Sequence, residues 1–483
     1  MDLRRLTALV LAASVWGAPL AAAPAKGKPA LQKKKDEIVA SIERHRAELV
    51  SLSDQVWGFA ETALRETRSA KVLADYAEQQ GFKVERGVAG LPTAFVASFG
   101  QGRPVIGIMG EYDALPGLSQ KAVPTREVFT EGAPGHGCGH NLFGAASLGA
   151  AVAIKEAIAA GTLAGTIRFY GTPAEEAVGG KVYMLRAGLF KDVDVALAWH
   201  PDSENRPDTK GGQAIVDMVV EFKGRAAHAA FDPWNGRSAL DGLELLTHAI
   251  NMMREHVKPS VRMHYVIANG GNVPNVVPEH AKLWLWVRDF ERSGLEDVLA
   301  RVRKAAEGAS LAAGVESKIT VQAGDYEMLV NRAGAKLLHA NLTALGPITY
   351  TAEEDAFARA LQTSAGVEPK GMNTAVRALE GQENQGGSTD VGDVSWNVPT
   401  LHVSIATAPA GVPWHAWPVV AAGGMSIGHK GMALATKTLA TTMADLFDDA
   451  TAREAVIAEF RETTKGFTYK AYIPGGPPPL PTN

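Results

Sequence analysis

The sequence predicts an α/β protein: a mostly parallel sheet covered on both faces by helices, interrupted by a smaller inserted α+β domain. Three observations predict it. Strand-like runs alternate with helical ones from about residue 105 to residue 200, the pattern of parallel strands joined by crossover helices. Beyond residue 213 the pattern changes to half-exposed alternation around two helices. The first pattern then resumes near Asn331.

In chain order, residues 33–79 read as largely helical, with Ile38, Ile42, Leu49, Leu52 and Val56 at helical intervals. A strand over 105–109 ends at Gly110-Glu111-Tyr112-Asp113, and an alanine-rich helix spans 142–159. A strand over 166–170 ends at Gly171-Thr172-Pro173-Ala174-Glu175-Glu176. Residues 182–187 are helical, and a strand over 193–199 ends at His200. In the insert, 215–222 alternates like a half-exposed strand and 239–256 is a helix. Residues 282–287 alternate with tryptophans, 295–313 is a second helix and 318–322 another strand. Two strand–helix–strand units of this kind make a small α+β sandwich. A strand over 400–406 and a long helix over 425–446 complete the main domain. The expected division is therefore 26–212 and 331–472 for the main domain, 213–330 for the insert, and 473–483 for a proline-rich tail.

The composition is that of a globular protein, 46% hydrophobic and 21% charged, which excludes disordered, collagenous and coiled-coil classes. With 483 residues the chain has length for two to three domains. A net charge of −4 without a long basic run argues against nucleic acid or an anionic membrane as partner. Residues 1–25 carry Arg4 and Arg5, an apolar run from Leu6 to Leu20, and Ala23-Pro24-Ala25 before Lys26. This is the three-part pattern of a secretory signal peptide, and the apolar run is short of the roughly 20 residues that a membrane span needs. No later stretch is read as long and apolar enough to span a bilayer. An exported chain whose only cysteine is Cys138, so that no internal disulfide can form, suits a bacterial periplasm.

The candidate chemistry lies at strand ends. In Gly135-His136-Gly137-Cys138-Gly139-His140-Asn141, the two glycines that flank the cysteine let the backbone bend tightly, so that Cys138 and His140 can face one point and both ligate a metal. A buried cysteine among incidental histidines would look the same locally. Glu175-Glu176 follow a strand and a proline, and buried like charges need a cation nearby. A solvated loop pair is the plainer alternative. One carboxylate as metal ligand and the other as general base resolves the repulsion. His200, after a strand, and His415, in Pro413-Trp414-His415-Ala416-Trp417, are each more often structural than ligating. Both can nonetheless sit where open α/β sheets bind ligands, outside the carboxyl ends of strands. Cys138, His140, Glu176, His200 and His415 then form a mixed S/N/O set. Five ligands with one shared suit two metals better than one structural zinc. Paired divalent ions are hydrolase machinery, and Glu175 is placed to take a proton from water.

Two nucleophile readings are weaker. Gly424-Met425-Ser426-Ile427-Gly428 matches a hydrolase elbow, but no strand precedes it and only His429 follows, with no acid between. Cys138 as nucleophile leaves Glu175-Glu176 unexplained. A non-catalytic binding protein of the same fold is a further alternative, although it would not need a spare carboxylate.

The stretches Gly110-Glu111-Tyr112-Asp113-Ala114-Leu115-Pro116, 136–141, 172–176 and 224–230 resemble the M20 metallopeptidase family, in the amidohydrolase branch that carries a Cys-Gly-His motif. Ser388-Thr389-Asp390-Val391-Gly392-Asp393-Val394-Ser395-Trp396 and His415-Ala416-Trp417 are similar to the aminobenzoyl-glutamate hydrolase B-subunit group within that branch. The resemblance spans about residues 36 to 448. It implies a catalytic domain holding two divalent ions, Zn²⁺ or Mn²⁺, and an inserted dimerisation or lid domain through which a homodimer forms. It implies hydrolysis of an amide bond next to an amino-acid carboxylate, in N-acyl or N-aroyl amino acids or dipeptides. Carried over by position, Cys138 is the bridging ligand, and His140, Glu176, His200 and His415 complete the two ions. Glu175 is the general base and Asp113 orients a ligand. His228, in Gly224-Arg225-Ala226-Ala227-His228, reaches a partner subunit's site and stabilises the oxyanion. Asn275, in Gly271-Asn272-Val273-Pro274-Asn275, and Arg288 hold substrate; simple turn and strand structure explains both equally well. Asn141 stands where the branch often has aspartate, and a signal peptide is unexpected for intracellular salvage.

Overall fold

A computed structural model describes residues 29–384 and 387–481. The expected signal segment lies outside the described residues, as do the last two residues of the tail. The chain opens with α1 (Pro29–Phe59), whose Ile38, Ile42, Leu49, Leu52 and Val56 share one buried face. The expected helical run of 33–79 is broken after Phe59. The backbone turns left-handed at Ala60 and Leu64 before α2 (Thr67–Gln79) begins. The Glu61 carboxylate accepts the backbone N–H groups of Arg68 and Ser69, donors that a helix start leaves without a partner.

Six strands and two helices follow: β1 (Lys83–Arg86), β2 (Phe95–Gly100), β3 (Val105–Gly110), α3 (His140–Ala159), β4 (Thr166–Gly171), α4 (Gly180–Arg186), β5 (Val195–Asp202) and the short β6 (Arg206–Pro207). The chain then leaves this sheet for a second one. The insert runs through β7 (Ala214–Lys223), α5 (Ala239–Met253), β8 (Arg262–Asn269), β9 (His280–Asp289), α6 (Arg292–Ala313) and β10 (Glu316–Asp325). It returns through α7 (Arg332–Leu345), α8 (Ala352–Ser364), α9 (Val391–Ser395), β11 (Thr400–Ala406), α10 (Trp417–Gly423), α11 (Ser426–Asp448) and α12 (Ala450–Thr463).

The main sheet has the order β1-β2-β4-β3-β5-β11-β6. Its inner strands β4, β3, β5 and β11 run parallel, and β1, β2 and β6 pair antiparallel at the edges. Every residue of β3 is buried, as a strand covered on both faces must be. The α/β class with a mostly parallel sheet is what the sequence pattern predicts. β5 extends past its expected end, so that His200 and Pro201 are strand residues paired with Ser404 and Ile405 of β11 rather than loop residues. The ladder with β11 continues through Pro201 as far as Asp202, beyond the last β5 residue that pairs with β3, Leu197.

α3 packs between α1 and α11 and against the inner strands. Its small residues permit the close approach: a Cβ on Gly149 would lie 2.5 Å from Leu49 Cδ1. Here one sequence expectation needs correction, because α3 is itself long and apolar enough to cross a membrane, with a mean hydropathy of 1.5. Its place in the core explains the composition: 72% of that apolar window is buried.

The insert forms an antiparallel sheet of order β10-β7-β9-β8, the arrangement of two intertwined strand–helix–strand units. It has a separate apolar core, with Val216, Met218, Val220, Leu283 and Leu285 packed under Leu243, Leu246 and Val298. The edge strand β8 buries only Met263, which is why no alternation announced it.

Candidate metal centre

All five predicted ligands come from the carboxyl ends of the four parallel strands. Cys138 and His140 follow the loop after β3, Glu176 follows β4, His200 lies near the end of β5, and His415 follows β11. A turn with Gly139 at φ 75° separates Cys138 from His140, the first residue of α3, and a Cβ at Gly139 would lie 2.9 Å from Pro201. Ala174 and His415 also adopt left-handed backbone, at φ 63° and 52°, which costs a non-glycine residue about 1–2 kcal/mol. Each is held in place. The Ala174 N–H donates to Glu66 Oε1 at 2.9 Å, and the His415 N–H donates to the Gly137 carbonyl at 3.0 Å.

Donor atoms of Cys138, His140 and His200 lie within 4.8 Å of one another, as do those of Cys138, Glu176 and His415. Cys138 is common to both groups. Its Sγ is 3.3 Å from His200 Nε2, and His415 Nε2 is 3.6 Å from Glu176 Oε2. Asp113 orients two members. One carboxylate oxygen accepts from His140 Nδ1 at 3.0 Å and the other from the Glu176 N–H at 2.8 Å. Since a carboxylate only accepts, His140 carries its proton on Nδ1 and turns Nε2 inward. His200 Nδ1 similarly faces the Pro201 carbonyl at 2.6 Å, leaving Nε2 toward Cys138.

The electrostatics suit a cation. Glu111 Oε2, His140 Nε2 and Glu176 Oε1 are buried without a hydrogen-bond partner, although the first two atoms are 3.1 Å apart. Burial and the neighbouring charges of Glu111, Glu176 and Asp390 push the Glu175 carboxyl well above the ordinary range. Burial likewise raises Glu176 to about 7, against the opposing effect of His140. His140 is raised to about 9, because Glu111 and Asp113 outweigh the burial that would lower it. Burial and the nearby carboxylates, Glu176 first, push the Cys138 thiol far up, the reverse of what a cysteine nucleophile needs. Three histidines, a thiol and carboxylates with orphaned inward atoms fit divalent cations.

The remaining predicted residues separate into two places. Arg288 on β9 is half-buried where the insert meets the main domain. It donates to Ser388 Oγ at 3.2 Å, and its charge acts on His415. His228 and Asn275 lie on facing exposed loops of the insert, where the Ala229 N–H donates to the Asn275 carbonyl and His228 bridges Val276. His228 Nδ1 accepts from the backbone of Ala230 and Phe231. Among the described residues, no hydrogen bond of these two loops reaches the five candidate ligands. Asn141 points away from the centre and donates to Ser53 Oγ and the Gly423 carbonyl, which an aspartate could not do.

Sequence reasoning missed Glu111, Lys181 and Asp390. Lys181 is fully buried and donates from Nζ to Glu111 Oε1 and to Asp390 Oδ1, both at 2.6 Å. A signal existed for two of them: Glu111 lies two residues before Asp113, and Lys181 is the one charge in Gly180-Lys181-Val182-Tyr183-Met184.

Residues 107–416 match the model of peptidase family M20/M25/M40. The chain is 38% identical over 471 residues to the B subunit of p-aminobenzoyl-glutamate hydrolase from Escherichia coli strain K12, covering 91% of this chain and 98% of the relative. It is 30% identical over 409 residues to the human Xaa-Arg dipeptidase, covering 80% and 82%. Its fold is like that of a dinuclear metal-binding M20 peptidase from Bacillus subtilis, with a TM-score of 0.60 at 18% identity over 84% of this chain and 99% of that one.

Proposed function

The chain belongs to peptidase family M20/M25/M40 and is an amidohydrolase, and from this premise we propose that it cleaves the amide bond of N-acyl or N-aroyl amino acids, aminobenzoyl-glutamate-like compounds or dipeptides. The observation that carries the reading is the pair of donor groups sharing Cys138. In it, Cys138, His140 and His200 would hold one divalent ion, and Cys138, Glu176 and His415 the other, with Zn²⁺ or Mn²⁺ as candidates. Such ions, when bound, polarise a carbonyl and acidify water.

The chain's own residues supply the rest. Glu175 takes a proton from the attacking water as its oxygen bonds to the carbonyl carbon. The carbon–nitrogen bond then breaks, and Glu175 returns that proton to the leaving nitrogen. Arg288, at the rim beside His415, pairs with the substrate carboxylate. Asn275 and His228 act from the insert of a second copy, His228 donating to the developing oxyanion, because both loops are exposed on their own chain. A homodimer through the insert is part of the reading. The E. coli relative is itself one subunit of an enzyme, which also supports assembly with a second chain. We further propose export through residues 1–25.

A turnover screen of metal-loaded protein against N-acyl amino acids, aminobenzoyl-glutamate and dipeptides tests the activity. Elemental analysis tests the centre: Cys138→Ala should lower metal content together with turnover. Full metal stoichiometry in that variant would reject the shared ligand.

A further inference from the structure

Glu111 has no role in the reading above, yet it is 1% exposed and stands at the end of β3, facing the centre. Its two oxygens have different surroundings. Oε1 accepts from Lys181 Nζ at 2.6 Å. Oε2 has no hydrogen-bond partner and lies 3.1 Å from His140 Nε2, which also has none. These atoms are at hydrogen-bond distance without hydrogen-bond alignment. Asp113 holds one His140 proton on Nδ1, so whenever the ring is neutral the lone pair on Nε2 faces the lone pairs of Oε2. Two acceptors facing each other in a buried site repel unless a positive charge lies between them. Glu176 Oε1, the third orphaned atom, is 4.0 Å from the same Nε2.

We propose that Glu111 is a sixth metal-ligating side chain, binding through Oε2 the ion that His140 holds, and that Lys181 is its positioning residue. The inference rests on the two-ion reading and adds a ligand to it. Donor atoms of Glu111, His140 and Glu175 fall within 4.8 Å of one another, so the group is tight enough for one ion. Lys181 does not neutralise it. That ammonium is shared between Glu111 and Asp390, whose Oδ2 also accepts the Lys181 backbone N–H at 2.8 Å. Two carboxylates against one ammonium leave a net negative charge, and the tether at Oε1 aims Oε2 inward.

Calorimetric titration of metal-free protein with Mn²⁺ tests this without reference to turnover. Wild type should bind two ions, and His200→Ala identifies the step that belongs to His140. Glu111→Gln should weaken that step by about tenfold or more, the scale seen even for groups behind the ligands, and leave the other step unchanged. Lys181→Met should weaken the same step, and the double variant should lose no more than Glu111→Gln alone, because the lysine acts through Glu111. If Lys181→Met fails to fold, Glu111→Gln decides alone. Unchanged affinity in Glu111→Gln, or equal loss at both steps, overturns the assignment. A wild type that binds no ion rejects instead the two-ion reading beneath it.

Discussion

The adjacent carboxylates show how much depends on single residues. Glu176 has one oxygen near His140 and the other near His415, whereas Glu175 groups with Glu111 and His140. Glu175→Gln keeps the shape and removes the base. It should retain both ions and lose roughly 10²–10⁴-fold in kcat. Glu176→Gln should weaken metal binding instead, and the reverse pattern would show the pair assigned backwards. Behind them, Glu66 accepts from Thr93 Oγ1 and the Ala174 N–H. Burial, then the charge of Asp113, raises it from an ordinary 4.5 to about 8. The folded state therefore holds this proton to higher pH than the unfolded chain does. Its contribution to stability is full below about 4.5 and is lost as pH rises through about 8. Melting curves of metal-free protein should fall across that window, and the fall should be shallower in Glu66→Gln. Parallel curves for the two proteins would exclude Glu66 as the source.

Among the elements, the turn from the β3 loop into α3 determines where the ligands point. Gly139 is left-handed and touches Pro201 on β5, so this one position sets Cys138, His140 and the strand bearing His200 against each other. Gly139→Ala should cost about 1–2 kcal/mol in a denaturant melt, from left-handed backbone alone, and more if Pro201 cannot yield. It should also weaken metal binding, because the two ligands flank the turn. Normal affinity in a destabilised variant would show that the ligands, not the turn, set their own geometry. α3 was legible from its composition and β5 from its apolar run. The long helix α11 was legible too, but α8 and α12 were not, because they bury little of their length: only Glu354, Ala358, Leu361 and Gln362 in one, and Val456 in the other. A helix with so narrow a buried stripe leaves little apolar periodicity to read.

For the whole molecule, the proposal that a second copy completes the centre has its own test. His228 and Asn275 lie together on exposed loops of the insert, beside Phe231 and Trp234, which are 78% and 72% exposed. Under the shared-site reading, Glu175→Ala and His228→Ala homodimers are both nearly inactive. A hybrid has one site with both groups intact and one with neither. Equal mixing after subunit exchange should then restore about a quarter of wild-type activity, since half the dimers are hybrids with one competent site of two. Differently tagged chains show that hybrids form. Proven hybrids without recovery reject the shared site, because each site would then keep one defect.

The order of chemistry-bearing residues along the chain was enough to place Cys138, His140, Glu176, His200 and His415 at one end of one sheet. Parallel strands joined by right-handed crossovers bring their carboxyl ends together whatever the loop sequences are. Local pattern also exposed the insert, because a sheet with one solvated face alternates and a sheet covered on both faces does not. Which carboxylate faces which nitrogen was decided only by tertiary packing. Glu111, Lys181 and Asp390 lie in three separate segments, and nothing local to any of them shows that a lysine 70 residues from one partner and 209 from the other will be buried between them. Buried charge must be paired, but the partner is chosen by the fold, since contact between distant segments exists only after the sheet has brought them together.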